Sequence, residues 1–205
     1  MSAWARRVLV AGLPALLAPG AAMAHLVATG MGPVYDGVLH FALSPEDVLL
    51  VIALALFAGL RGPGHARALF WVLPPAWFAG GVLAMMNLAP AGIALSLTTA
   101  VLFLAVGGLL AANARLPMAA CSAIGVVLGL SRGMADLAGV DPNSAHLLML
   151  GGMCAAIFLV SALAASVTLP LQRLWMIVTA RVCGSWIAAM GLLLAGWMVR
   201  YGAVV

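Results

Sequence analysis

Six apolar stretches, each near the length of a membrane crossing and parted only by short polar or Pro/Gly breaks, leave this chain few folds to choose from. A helix needs ~20 apolar residues to cross ~30 Å of hydrocarbon. The stretches run approximately from Pro45 to Leu60, Ala66 to Asn87, Ala91 to Ala112, Pro117 to Arg132, Ser144 to Thr168 and Leu174 to Val199. Only 7% of the 205 residues are charged, against roughly 25% in a soluble domain. The expectation is an all-α fold, a polytopic membrane helical bundle of about six transmembrane helices. The loops are too brief to hold a soluble domain.

The first 24 residues read as a secretory signal. Arg6 and Arg7 form a positive n-region, Val8 to Leu17 an apolar h-region, and Ala22-Met23-Ala24 a small-x-small cleavage site. The predicted organisation is therefore a signal peptide (1–24), a periplasmic N-terminal segment (25–44) and a six-helix transmembrane domain (45–205). A cleaved chain begins at His25, which offers an α-amine and an imidazole to a metal. An α-amine with an ordinary pKa near ~8 yields its proton readily to such an ion. The bland alternative is that a histidine follows the cleavage site by coincidence.

Cleavage places the mature N-terminus outside, and six crossings return the C-terminus to the same side. Arg61, Arg67, Arg115 and Arg173 then fall in cytoplasmic turns, as the positive-inside rule asks. This predicts a multi-pass protein of the bacterial inner membrane. Asp36, Glu46, Asp47, Asp136 and Asp141 all fall on the outer side, with His25, His40 and His146. Acidic residues contribute little to topology, so their collection on one face points to the gathering of cations. The competing explanation is that short loops hold the few polar groups a membrane protein has.

Several classes are disfavoured. All nine cationic residues are arginine and the net charge is +4, with no basic run to track a phosphate backbone, so nucleic acid is not an expected partner. Cys121, Cys154 and Cys183 are odd in number and sit in apolar stretches, which reads as three small buried hydrophobes. No nucleophile elbow, phosphate loop, HExxH or nucleotide fingerprint appears, so an enzyme is not expected. Without a Walker sequence, any transport is passive, coupled to another gradient, or driven by a partner.

The segment from His25 to Asp47 holds the candidate metal chemistry. Imidazole with carboxylate suits divalent Ni, Co, Zn, Fe or Cu. Asp36 and His40 are four apart, which a helical turn places on one face. Ser44 as N-cap, Pro45 at the first helical position and Asp47 three residues after the cap form a capping box, with Glu46 and Asp47 favoured at the positive helix end. Capping is the preferred reading of Glu46 and Asp47, leaving Asp36 and His40 as the better ligands.

The run His25-Leu-Val-Ala-Thr-Gly, through Tyr35-Asp36-Gly37-Val38-Leu39-His40 to Pro45-Glu46-Asp47, and the span ending Ala58-Gly59-Leu60-Arg61-Gly62, resembles the HupE/UreJ family. The resemblance implies a small bacterial permease with a cleaved signal and about six spans, associated with hydrogenase and urease and with nickel or cobalt uptake. Typical members carry His-Pro-x-x-Gly-x-Asp-His at the start of the first span. Here His40 matches the first histidine, Glu46 stands at the aspartate and Asp47 replaces the second histidine, while His25 matches the histidine that begins mature members. The departure implies a divergent branch, handling another metal or serving as an accessory protein.

Other features carry weaker readings. Pro74-Pro75 near the middle of the second span predicts a kinked or broken helix, of the kind that lines substrate sites in transporters or that merely bends a bundle. His146 opens the fifth span beside Asp141, at a candidate entrance; Met149 and Met153 follow on nearly the same face, a thioether route for Cu(I) or ordinary packing. Arg132 and Asp136 pair at i,i+4 as a structural device. Arg181 snorkels or gates, Ser96 and Thr99 line a cavity or hydrogen-bond across helices, or bond back to their own helix, and Gly107-Gly108 and Gly151-Gly152 permit close helix contact.

The combined expectation is an inner-membrane permease for nickel, then cobalt, with His25, Asp36 and His40 as ligands and Glu46, Asp47 and His146 as second choices. The alternative is a non-transporting accessory protein or copper chaperone, with zinc also accommodated, that presents its outer histidines to metalloenzyme maturation proteins.

Overall fold

The structure, a computed structural model, describes residues 30–90, 92–168 and 174–201. The signal-like segment and His25 lie outside the described residues. Those described form seven helices and no strand: α1 (Pro33–Leu43), α2 (Pro45–Arg61), α3 (Pro63–Met85), α4 (Gly92–Ala112), α5 (Met118–Asp136), α6 (Ser144–Thr168) and α7 (Leu174–Tyr201). Helices α3 to α7 are each long and apolar enough to cross a bilayer, and α1 with α2 forms a pair bent by 77° that counts as a sixth. At 1.5 Å per residue, the 17 residues of α2 reach about 25 Å, close to the hydrocarbon thickness.

The bend has a local cause. Ser44 precedes a proline, and the proline ring drives the preceding residue out of the helical region; Ser44 accordingly sits at φ −90° and ψ 92°. Its backbone N–H donates to the Phe41 carbonyl at 3.1 Å and its hydroxyl to the His40 carbonyl at 2.9 Å. These bonds satisfy carbonyls that the end of α1 would otherwise leave open. They also overturn the expected capping box, since the Ser44 hydroxyl faces α1 and makes no cap bond to α2.

Helix α2 is the axis of the bundle and packs against each of the other six described helices. Leu50, Val51, Leu54, Phe57 and Ala58 are fully or almost fully buried on it. Around it α3 pairs with α5, α4 with α7, and α1 with α6. Small residues set the first of these pairs. A Cβ added at Gly133 would stand 2.2 Å from the Trp77 carbonyl oxygen, and one at Gly80 would stand 2.3 Å from that of Leu130. The backbones of α3 and α5 therefore touch where any side chain would hold them apart. The same device seats α1, because a Cβ on Gly37 would lie 1.9 Å from the Met149 carbonyl oxygen.

The outer surface is apolar in the way a lipid-facing surface must be. Trp186, Leu193 and Val199 on α7, and Trp71 and Leu163 elsewhere, are all at least 58% exposed. Such a surface has the bilayer as its solvent.

Several expectations meet the structure here. The apolar stretches match the helices closely, but α5 continues one turn past Arg132 to Asp136. Helix α3 runs unbroken through Pro74 and Pro75, and the thiol of Cys154 donates to the Pro74 carbonyl at 3.3 Å. Met149 and Met153 pack in the core. Gly107 and Gly152 do sit at close helix contacts, whereas an added Cβ at Gly108 or Gly151 would meet nothing within 4 Å. Of the cysteines, Cys121 is buried and Cys154 half-buried, but Cys183 is exposed on α7, where lipid solvates a small hydrophobe as well as a core does.

Candidate functional site

One end of the bundle gathers charge from two helices that are far apart in sequence, α2 and α5. Glu46 and Asp47 lie in the first turn of α2, where proline at the first helical position leaves no backbone donor to spoil. Arg132 and Asp136 lie one turn apart near the end of α5. The Arg132 guanidinium stands with Nε 2.5 Å from Asp47 Oδ1, one terminal nitrogen 3.3 Å from Glu46 Oε2 and the other 3.8 Å from Asp136 Oδ1. It also donates to the Thr99 hydroxyl of α4 at 3.0 Å. That hydroxyl in turn donates to the Leu95 carbonyl of its own helix at 3.1 Å, so both readings of Thr99 hold together.

Burial makes this arrangement consequential. The side chains of Asp47, Asp136 and Arg132 are 0%, 5% and 9% exposed, while that of Glu46 is 47% exposed. A buried charge is tolerated only when paired and hydrogen-bonded. Arg132 meets that requirement, and Asp136 takes a further bond from the Trp77 indole N–H at 3.0 Å. Asp47 meets it only in part: its Oδ2 is buried with no hydrogen-bond partner. Three carboxylates around one guanidinium leave the cluster with an excess of negative charge when all are ionised. The i,i+4 pairing of Arg132 with Asp136 is present, but as the longest of three contacts.

A cavity of about 430 Å³ opens beside the cluster, with Glu46, Ser96, Thr99 and Arg132 on its polar wall and Trp197 and Leu194 on its apolar one. The polar wall is graded, from exposed Glu46 at the mouth to Thr99 and Arg132 within.

The sequence-predicted ligands are only partly brought together. His40, on the last turn of α1, is half-buried and within electrostatic reach of both Asp47 and Arg132. Its neighbour Phe41 packs edge-on to Trp77 with ring centroids 6.2 Å apart, which anchors α1 to the helix that also carries the Asp136 donor. Asp36 sits one turn before His40 on α1 and is half-buried. His146 is elsewhere in its bonding: its Nδ1 lies 2.8 Å from the Asp141 carbonyl, and its backbone N–H donates to Asn143 Oδ1 at 2.8 Å, which caps α6. Among the described residues no group of three or more His, Cys, Asp or Glu side chains is placed to hold one metal ion. The cross-helix bond expected of Thr99 is present, with Arg132 as its donor, whereas Trp77, which donates to Asp136, carried no such role in the sequence.

A family model described as HupE / UreJ protein matches residues 13–194. The chain belongs to the HupE/UreJ family. No curated protein and no solved structure matches it. The family is associated with nickel or cobalt transport and with urease or hydrogenase maturation, and is a transporter or accessory family. In this HupE/UreJ chain, the cluster centred on Arg132 brings Glu46 and Asp47 to one buried guanidinium, with His40 within electrostatic reach.

Proposed function

We propose that this HupE/UreJ protein is an inner-membrane permease for a divalent transition-metal ion, nickel first and cobalt next, which captures its substrate on the periplasmic side. The observation that carries this reading is the excess of carboxylate over guanidinium in the Glu46, Asp47, Asp136 and Arg132 cluster beside an accessible cavity. Carboxylates in excess of their guanidinium attract a cation, and a low-dielectric wall strengthens the attraction. Glu46, the exposed carboxylate, makes first contact. His40 supplies the imidazole that nickel and cobalt favour over oxygen-only sites, with Asp36, His25 and His146 as further ligands along the approach.

Arg132 fits this scheme as a resident counter-ion. It offsets part of the carboxylate charge while the site is empty of metal and yields Asp47 to an arriving cation while keeping its bond to Thr99. Release inward then needs binding weak enough for ligand exchange.

A second reading is favoured by the interior below the cluster. The buried polar residues among those described are Asp47, Thr99, Arg132 and Ser161, and the Ser161 hydroxyl bonds to its own helix at the Phe158 carbonyl, 3.0 Å away. Leu54, Leu73, Leu128, Leu150 and Ile157 are all fully buried in an apolar core. A dry bundle suits an accessory protein or a copper chaperone that presents metal to maturation proteins without passing it through.

Flux decides between them. Purified protein in proteoliposomes is loaded outside with Ni or Co and accumulation inside is followed, for the parent chain and for Glu46→Gln and His40→Ala. Uptake that both substitutions depress supports the permease; metal binding without flux supports the accessory reading. Normal uptake by the His40→Ala protein would sink the ligand assignment.

A further inference from the structure

The opposite end of the bundle carries a second pocket, of about 420 Å³, lined by Leu60, Arg61, Asn113, Arg115 and Ile177. We infer that it binds a phosphate group, the headgroup of an anionic phospholipid. This inference stands apart from metal handling and uses none of the residues assigned to it.

Charge is the first argument. Arg61 ends α2 and Arg115 lies in the turn between α4 and α5, so two guanidinium groups face one pocket. All five acidic residues of the chain fall at 36, 46, 47, 136 and 141, and Glu46 and Asp47 begin the helix that Arg61 ends. The length of α2 separates them, so no carboxylate compensates this pair. A basic pocket between helix ends at one membrane face is the kind of site that takes a lipid phosphate.

Preorganisation is the second. One terminal nitrogen of Arg61 donates to the Asn113 side-chain carbonyl, and its guanidinium carbon lies 5.6 Å from the centroid of the Phe57 ring. Nε of Arg61 is buried with no hydrogen-bond partner. A buried donor left unsatisfied is costly, and a phosphate oxygen is the acceptor that geometry and charge both favour. The two turns are fastened together where His65 Nε2 approaches the Leu116 carbonyl at 3.2 Å, so the pocket holds its shape without a ligand.

The third argument decides the source of the phosphate. Leu60 and Ile177 form apolar walls, and Leu174, Trp175 and Val178 follow on α7 with 79%, 61% and 50% of their surface exposed. A headgroup in the pocket would lay its acyl chains along this surface, with Trp175 at the depth where indoles prefer to sit. A free phosphate ion makes no use of those walls.

Native mass spectrometry of the full chain tests this with phosphatidylglycerol, phosphatidylcholine and inorganic phosphate as probes. Phosphatidylglycerol should bind more tightly than phosphatidylcholine, and Arg115→Gln should weaken it about fivefold, the contribution of one cation near an anionic surface. Arg115→Lys should retain the preference, and Arg67→Gln, an exposed arginine at the same end, should not change it. Competition by millimolar inorganic phosphate, with the same sensitivity to Arg115→Gln, would reassign the site to free phosphate. No preference for phosphatidylglycerol together with no phosphate binding overturns the inference, as does an equal loss in Arg67→Gln. If Arg115→Gln fails to fold, the comparison of the two lipids on the parent chain still decides.

Discussion

Replacing Arg132 by methionine keeps an unbranched stem as far as the Nε position and removes the charge that three carboxylates share. Asp47 and Asp136 have side chains 0% and 5% exposed, so water cannot take over the role of the guanidinium. Removing one partner of a buried ion pair costs about 3–5 kcal/mol, because the other charge stays behind uncompensated. For a chain of 205 residues, each kcal/mol moves the melting temperature by about 2–4 °C, so Arg132→Met should melt roughly 6–20 °C below the parent. The assay is thermal unfolding of detergent-solubilised protein at neutral pH. The cause is isolated by adding Asp47→Asn, which removes the strongest of the orphaned charges: the double variant should recover stability relative to Arg132→Met, with a coupling energy above ~0.5 kcal/mol. Melting within about 2 °C of the parent, or a cycle without coupling, refutes the claim that the cluster holds α2 to α5. The same variant also reports on cation capture. With the tethered cation gone, added Ni should raise its melting temperature more than that of the parent, since a ligand bound only to the folded state stabilises by mass action.

Three further outcomes follow from individual contacts. Trp77→Phe keeps the ring that packs on Phe41 but removes the donor to Asp136 at 3.0 Å; thermal unfolding should show a loss of about 1.5–3 kcal/mol, the range for a bond to a charged group. Gly133→Ala pushes a methyl toward the Trp77 carbonyl oxygen at 2.2 Å, which should cost about 1–3 kcal/mol in the same assay, whereas Gly108→Ala, which meets nothing within 4 Å, should leave stability unchanged or slightly raised. At the start of α6, Asn143→Ala deletes the acceptor of the His146 backbone N–H and should cost about 1 kcal/mol; His146→Ala leaves that acceptor in place and should cost less, as read by urea denaturation midpoints.

Helix lengths were legible because hydrocarbon thickness writes itself into the sequence as runs of apolar residues, and α6 was bounded correctly at both ends by that signal alone. The charged cluster was harder, for a reason visible at two residues. Asp47 satisfies every local rule for a capping box, and local rules see only a few neighbours; its true partner lies 85 residues away on α5. The apolar run stops at Arg132 because a charge, even one paired with Asp136, belongs at a membrane edge, but with Asp47 also bound to the guanidinium the helix runs on to Asp136. Trp77 gave no sign at all, since an indole in an apolar span looks like any other hydrophobe until a carboxylate arrives at its N–H. The signal that was available is the imbalance itself: two adjacent acids at the start of one span and an Arg/Asp pair at the end of another require partners. A purely structural lock needs one carboxylate per guanidinium, and Asp47 alone would serve. The cluster instead adds Asp136 in the interior and Glu46 at the cavity mouth, and leaves Asp47 Oδ2 without a partner. The Trp77 bond offsets part of the cost of burying Asp136, but that carboxyl must still be desolvated beside Asp47, so stability alone is a weak reason for the surplus. A site whose task is to hold a mobile cation has a use for it.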